Sequence, residues 1–239
     1  MRSVILGGYV TLFIALFFHG TPATAVVGGD PIDNTLQQYT VAVGGTKGRC
    51  TGVVLVQNIV LTAAHCTQDS QNLWVGGHRG WGDLSNPPVG LSPVVEVIQH
   101  PGYREKPGWP DLALLKLEKP LPDRFIPAYF GGYTPHNGDG LIAAGYGEGF
   151  ANDPTGGTLL RMVLLRVSIG TSGYLTLVSP GEADAGSGRG DSGGPVFAYR
   201  GMHALVGIVV GHVSNATMAV AIAPYYVWIK DTIEKLNSH

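Results

Sequence analysis

Three short segments carry side chains whose types could act on one another. Gly188-Arg189-Gly190-Asp191-Ser192-Gly193-Gly194-Pro195 sets an acid and a serine among four glycines. A strand cannot use that many glycines, so the backbone must turn tightly and leave N–H groups without ladder partners. Such amides can face a developing oxyanion, and a serine on the turn is presented outward. Leu61-Thr62-Ala63-Ala64-His65-Cys66 ends an apolar run in small residues that give an imidazole room to approach a partner. Pro110-Asp111-Leu112-Ala113-Leu114-Leu115-Lys116-Leu117 opens a strongly apolar run with a carboxylate, which must find donors or a cation at the edge of a core. Imidazole Nδ1–H is a suitable donor, and the bond would fix the tautomer. Singly, these segments read as a glycine-rich turn, a structural histidine and a strand-start cap. Together, in the order His65, Asp111, Ser192, they hold what a serine hydroxyl needs to become a nucleophile: a base, and a group that orients the base.

Short β-branched runs must position these groups. They recur at residues 39–43, 52–56, 59–64, 73–76, 94–99 and 112–117, with turn signals such as Gly44-Gly45 and Asn86-Pro87-Pro88 between them. Many short strands at this spacing predict a sandwich or barrel. Residues 118–133 differ in texture: Pro120, Pro122, Pro127, Gly131 and Gly132 mark a crossover between two lobes. Further strands are predicted at 141–144, 158–169, 196–199, 205–210 and 218–222. The chain ends in a helix with Pro224 in its first turn and Tyr226, Ile229, Ile233 and Leu236 on its apolar face.

Composition bounds the rest. The 36 glycines and 16 prolines argue for turns and against a helical bundle. A net charge of −2 gives no reason to expect nucleic acid or an anionic membrane as a partner. Arg2, the apolar run Val4 to Phe18 and Ala23-Thr24-Ala25 read as a secretory signal over residues 1–25, with Val26 opening the mature chain. The run falls short of the roughly 18 apolar residues that span a bilayer, so no membrane association is expected after cleavage. Cys50 and Cys66 would then meet an oxidising compartment, as a bridge or as free buried thiols. His78, His100, His136 and His203 lack ligand-like spacing with carboxylates, so neither a metal nor another cofactor is expected.

The sequence resembles the trypsin-fold (chymotrypsin-like) serine endopeptidases. The resemblance rests on Val26-Val27-Gly28-Gly29, Thr62-Ala63-Ala64-His65-Cys66, His100-Pro101-Gly102-Tyr103, Asp111-Leu112-Ala113-Leu114-Leu115, Ala144-Gly145-Tyr146-Gly147, Gly190-Asp191-Ser192-Gly193-Gly194-Pro195 and the Trp228-Ile229 helix. It implies an all-β fold of two antiparallel six-stranded barrels, spanning 26–123 and 124–239, with the site between them and a helix at the end. It implies Ser192 as nucleophile, His65 as base, Asp111 as its orienting acid, and the N–H groups of Gly190 and Ser192 as the oxyanion hole. It implies a Cys50–Cys66 disulfide and an ion pair between Asp191 and the freed α-amine of Val26. Family members usually carry Arg or Lys before that point; Ala23-Thr24-Ala25 stands there here, so signal cleavage and activation are expected to be one event.

Departures from the family bear on substrate. The family's other disulfides are missing, and the segment from Ile169 to Asp184 is short. Val210-Gly211-His212 stands where Ser-Trp-Gly is usual, which alters the pocket wall. Gly186 stands where trypsins carry an acid, and Arg or Lys at P1 would be buried unpaired. Thr217 and His212 favour a small or medium neutral P1 residue; a competing reading uses Ser187, Arg189 and His212 as donors for an acidic one. Asn215-Ala216-Thr217 is a glycosylation sequon on the pocket strand. The expectation is a secreted, monomeric endopeptidase with polypeptide substrates and protein inhibitors as partners. The alternative is a catalytically silent homologue serving as a binding module. An esterase on another fold would place the acid and histidine after the serine, the reverse of this order.

Overall fold

The computed structural model describes residues 30–31, 34–46, 48–68, 72–77, 92–106, 108–131, 133–148, 159–170, 173–181, 185–199 and 203–238. The signal segment and Val26 lie outside them. A two-residue strand β1 (Asp30–Pro31) and a single helical turn α1 (Asn34–Gln37) lead into the first barrel. That barrel comprises β2 (Thr40–Gly45), β3 (Gly48–Val56), β4 (Ile59–Thr62), β5 (Trp74–Gly76), β6 (Ser92–Gln99) and β7 (Ala113–Leu117). It closes in the order β2-β3-β4-β7-β6-β5. All six strands lie where the apolar runs predicted them, give or take a few residues.

The second barrel comprises β8 (Gly140–Gly145), β9 (Arg161–Gly170), β10 (Tyr174–Val178), β11 (Pro195–Ala198), β12 (Leu205–Val213) and β13 (Ala216–Ala221). The order β9-β10-β13-β12-β11-β8 is closed by pairing of β8 with β9, and β1 adds to the outside of β9. The sequence reading omitted β10 and ended β12 at Val210. The first falls in the segment read as a shortened loop, where Leu175 pairs back on Gly170. The second runs through a register shift between Val209 and Gly211, so the strand survives a glycine that reads locally as a stop.

Alternation along each strand explains why the runs are apolar on both faces. Val54, Val60 and Leu115 point into the first barrel with Val41, Val75 and Phe125. Their neighbours Val53, Leu55, Ile59, Leu61 and Leu114 point the other way and join Phe197, Leu205, Ile208 and Val220 of the second barrel. The barrels therefore share one continuous core at their junction. A third cluster, including Leu141, Leu165, Leu175 and Val196, fills the second barrel.

Among its described residues the crossover carries no strand beyond an isolated parallel bridge of Phe130 with Leu205. Pro224 lies in a 3-10 turn (Ala223–Tyr225) ahead of the final helix α2 (Tyr226–Asn237), not within its first turn. Of the predicted apolar face, Ile229 and Leu236 are buried and Ile233 packs against the same core, with Thr232 buried beside them, whereas Tyr226 is exposed. The helix docks on the first barrel: Lys116 Nζ donates to the Leu236 carbonyl at 2.8 Å, and His100 meets Trp228 edge-on at 4.7 Å. Among the described residues no helix is long and apolar enough to cross a membrane.

Cys50 on β3 and Cys66 in the 3-10 turn Ala64–Thr67 form a disulfide, with Cα atoms 6.1 Å apart. A bridge closing a loop of about 15 residues is worth roughly 3 kcal/mol of unfolded-state entropy. The Cys50→Ala, Cys66→Ala double variant is expected to lose about that much in urea unfolding; an unchanged midpoint would count against this contribution.

Candidate functional site

His65 follows β4 within the 3-10 turn, and Asp111 precedes β7. These strands are antiparallel neighbours with Thr62 opposite Ala113. The end of one and the start of the other therefore meet on one barrel rim, although the two residues are 46 apart in sequence. Asp111 holds His65 at two points: Nδ1 lies 2.6 Å from Oδ2, and the His65 backbone N–H donates to Oδ1 at 2.9 Å. A carboxylate only accepts, which assigns the ring proton to Nδ1 and leaves the Nε2 lone pair open. The pair is sheltered but not sealed, with side chains 33% and 14% exposed.

Ser192 approaches from the other barrel, just ahead of β11. Its carbonyl accepts the Thr51 N–H at 2.8 Å. Cys66 Sγ lies 3.7 Å from both His65 Nε2 and the Ser192 carbonyl, so a single sulfur spans from ring to loop. A disulfide sulfur has no proton, and these are contacts, not hydrogen bonds. Ser192, His65, Gly190 and Arg189 line one cavity of about 450 Å³. Among the described residues no hydrogen bond joins the Ser192 hydroxyl to His65.

The loop ahead of Ser192 is held by its carbonyls. Arg189 O accepts the Glu148 N–H at 2.7 Å, and Gly190 O accepts the Thr51 hydroxyl at 2.8 Å. Gly190 has φ +93°, a conformation that a Cβ would penalise. Gly193 has φ +83°, and a Cβ there would lie 2.0 Å from Thr62 Oγ1. The N–H groups of Gly190 and Ser192 have no acceptor among the described residues. They are available to an incoming oxygen.

Asp191 is not among the residues lining this cavity; it is 1% exposed and packs against Gly145 and Gly147 at the end of β8. Its Oδ1 accepts the Gly147 N–H at 2.8 Å and its Oδ2 the Gly188 N–H at 2.7 Å. Burial raises its pKa from the ordinary 3.8 to about 6, against the opposing pull of those two amides. Among the described residues no cation pairs with it. The proposed partner, Val26, lies outside them.

The residues assigned to a substrate pocket divide among three cavities. Gly186, Ser187 and His212 line one of about 640 Å³, with Ser214 and Asn215 at its edge. Thr217 is fully buried behind it, and its Oγ1 accepts the Ser187 N–H at 2.8 Å. The Ser187 hydroxyl donates to the Gly211 carbonyl at 3.1 Å, which commits its one proton. Arg189 is on the 450 Å³ cavity instead. Val210 lines a third, of about 440 Å³, with Tyr103, Tyr174, Gly211, His212 and Met218. Asn215 is exposed in the turn between β12 and β13, not on a strand.

Sequence reasoning passed over Tyr103 as a lining residue and Thr51, Gly147 and Gly188 as hydrogen-bonding partners. Tyr103 accepts from Gln68 Nε2 at 2.9 Å, and burial first, with the Asp111 charge second, pushes its hydroxyl up to about 12. Cys50, His65 and Cys66 cluster tightly enough for a metal, but both sulfurs are bonded to each other and one imidazole remains.

The family model described as Trypsin matches residues 26–229. Kallikrein 1-related peptidase b3 of Mus musculus is 28% identical, over 95% of this chain and 98% of its own length. Among solved structures, an inactivated protease paralogue of the scabies mite superposes with TM-score 0.70 at 24% identity, over 87% of this chain and 99% of its own. Neuropsin, a serine protease expressed in the limbic system of mouse brain, superposes with TM-score 0.69 at 24% identity, over 86% and 98%. Those structural likenesses carry the fold alone.

The raised pKa of Asp191 has a signed consequence. A buried carboxyl that titrates above its unfolded value contributes stability that is complete below about pH 4 and is lost as pH rises through about 6. In protein that retains residues ahead of Val26, Asp191→Asn should therefore gain melting temperature relative to the unaltered chain between pH 4 and pH 7. A difference that stays constant across that range would contradict an uncompensated buried carboxylate.

Proposed function

The chain belongs to the trypsin family of serine proteases, and we propose that it is a secreted serine endopeptidase working through an acyl-enzyme. Ser192 attacks the scissile carbonyl, and His65 Nε2 takes its proton and returns it to the leaving amine. Asp111 fixes the tautomer and stabilises the imidazolium. The Gly190 and Ser192 amides receive the oxyanion. The observation that carries this reading is the two-point grip of Asp111 on His65, which leaves Nε2 without a proton on a cavity that Ser192 shares. A hydrogen bond between nucleophile and base commonly tightens only when substrate is bound, so its absence among the described residues fits this sequence of events. A silent binding homologue gives no reason for an oriented imidazole beside two unoccupied amides.

Asp191 supports a linked reading of activation. A fully buried carboxylate at neutral pH calls for a cation, and the α-amine of Val26 would supply one after signal cleavage. The stability lost between pH 4 and 7 is then expected to be absent from protein that begins at Val26. The working form is a monomer that cleaves polypeptides and is open to protein inhibitors that present a substrate-like loop.

A small or medium neutral P1 residue is the specificity best supported. Thr217 closes the rear of the cavity, and a Cβ on Gly186 would already lie 3.2 Å from its hydroxyl. The acidic alternative loses two of its three donors, because the Ser187 proton is committed to Gly211 and Arg189 lines another cavity. Without an acid at position 186, a cationic P1 side chain would be buried unpaired.

Two measurements test these readings. A fluorophosphonate should label Ser192 in the mature protein, and Ser192→Ala should lose several orders of magnitude of turnover, retaining on the order of 10³-fold over water. Undiminished turnover in that variant would overturn the mechanism. In a peptide library Ala or Val should lead at P1, and Thr217→Gly should raise kcat/KM for P1 Phe relative to Ala by roughly tenfold or more. A preference for Arg or Lys in the unaltered protein would overturn the pocket reading.

A further inference from the structure

Thr51 stands on β3, in the barrel that does not carry Ser192, and is fully buried. Every hydrogen-bonding group it owns is committed. Its hydroxyl has one proton to give. The Tyr146 N–H donates to Oγ1 at 3.0 Å, and the hydroxyl proton goes to the Gly190 carbonyl at 2.8 Å, 139 residues away. Its backbone N–H donates to the Ser192 carbonyl at 2.8 Å. Its own carbonyl accepts the Thr62 hydroxyl at 2.7 Å, which fixes the strand from behind.

The two carbonyls that Thr51 holds belong to the same residues whose N–H groups have no acceptor among the described residues, and both residues line the 450 Å³ cavity. Each peptide unit is planar and trans, so holding a carbonyl fixes the whole plane. At Gly190, whose permissive backbone sits at φ +93°, the plane on one side is held through Arg189 O by the Glu148 N–H. The plane on the other side is held through Gly190 O by the Thr51 hydroxyl. The Gly190 N–H lies in the first plane; the second, which also carries the Asp191 N–H that donates to the Gly188 carbonyl at 3.3 Å, sets the other side of the glycine, so losing the Thr51 bond would loosen the backbone setting that aims the N–H.

We propose that Thr51 is a positioning residue for this reaction. Its hydroxyl reaches across from the first barrel and keeps the Gly190 N–H aimed where the oxyanion forms. The inference rests on the protease reading above. Valine at position 51 keeps the shape but removes the proton given to the Gly190 carbonyl and the oxygen that accepts the Tyr146 N–H. Serine keeps the hydroxyl and removes only the methyl.

The test compares Thr51→Val, Thr51→Ser and unaltered mature protein on the best library peptide. It also measures inhibition by a peptidyl boronate, whose tetrahedral adduct presents an oxygen to the same amides. Loss of one oxyanion donor costs about 10²–10³ in kcat. A donor that is present but unaimed should cost less, so Thr51→Val is expected to lose about 10- to 100-fold in kcat with KM within about threefold. Boronate affinity should weaken on the same scale, and Thr51→Ser should return both values to within about threefold. A Thr51→Val protein with an intact melting transition and unchanged kcat overturns the inference, as does a loss confined to KM or a serine variant as impaired as the valine one. Should Thr51→Val fail to fold, Thr51→Ala is read by the same split between kcat and KM. Fluorophosphonate labelling of the unaltered protein separates the two levels. If it is unlabelled, the protease reading fails; if it is labelled and position 51 has no effect, only the role of Thr51 fails.

Discussion

A carboxylate with no access to water governs the geometry around Ser192. Asp191 is buried against the turn after β8, and burial alone would be costly. Its two oxygens therefore draw in the backbone amides of Gly147 and Gly188 from different segments. That demand brings the turn after β8 against the loop before β11. A Cβ on Gly147 would lie 2.5 Å from the Asp191 carboxyl carbon, so the approach leaves no room for any side chain. Once these segments are joined, Glu148 N–H reaches Arg189 O, and Gly190 falls between two fixed peptide planes. The amides that face the cavity are thus held by what the acid beside Ser192 requires on its opposite side.

The first barrel answers from across the cleft. Its rim carries His65 and Asp111 because β4 and β7 are adjacent and run in opposite directions. Its β3 carries Thr51, and Cys66 lies against both the imidazole and the Ser192 carbonyl. Neither barrel holds the candidate site alone. The shared apolar core of Leu55, Leu61, Phe197 and Ile208 makes their relative placement a matter of packing. Burial on that scale is what allows the 2.8 Å hydrogen bonds from Thr51 to be maintained across the junction.

Much of this was legible in the chain because the signals are local. Six apolar runs marked the first barrel: β4 is buried on both faces, whereas β6 alternates with an exposed face that still carries Val95 and Val97. His65 and Asp111 stood out as polar groups at the ends of such runs. The pairing of Cys50 with Cys66 could be stated only through the family resemblance, and the bridge is present. Other features were hidden for identifiable reasons. The segment Tyr174–Val178 alternates between half-buried and buried positions, but flanking Gly173 and Gly181 made it read as loop. Ser187, Arg189 and His212 are close in sequence or in strand register, yet the turn at Gly188–Gly190 carries Arg189 into a different cavity. Thr51 looked like an ordinary β-branched strand residue. Nothing near it in sequence reveals that its hydroxyl would meet Gly190.

The departures around Gly211 are better understood as exchanges of wall than as losses. With no side chain at position 211, His212 borders both the 640 Å³ and the 440 Å³ cavities. The backbone takes over part of the lost wall: the Gly211 carbonyl accepts the Ser187 hydroxyl, and Thr217 behind it accepts the Ser187 amide. Ser187 is therefore anchored on both sides by groups that a polar ligand would otherwise have to satisfy. A cavity whose polar groups already satisfy one another offers little to a charged side chain, which is the ground for the neutral P1 residue proposed above. Discrimination of this kind comes from shape and from unpaired charge, and each added methylene in an apolar pocket changes it by only about 1–3 kcal/mol. The same bonds that close the rear of the cavity keep Gly186 and Ser187 still, and the loop that begins there ends at Ser192.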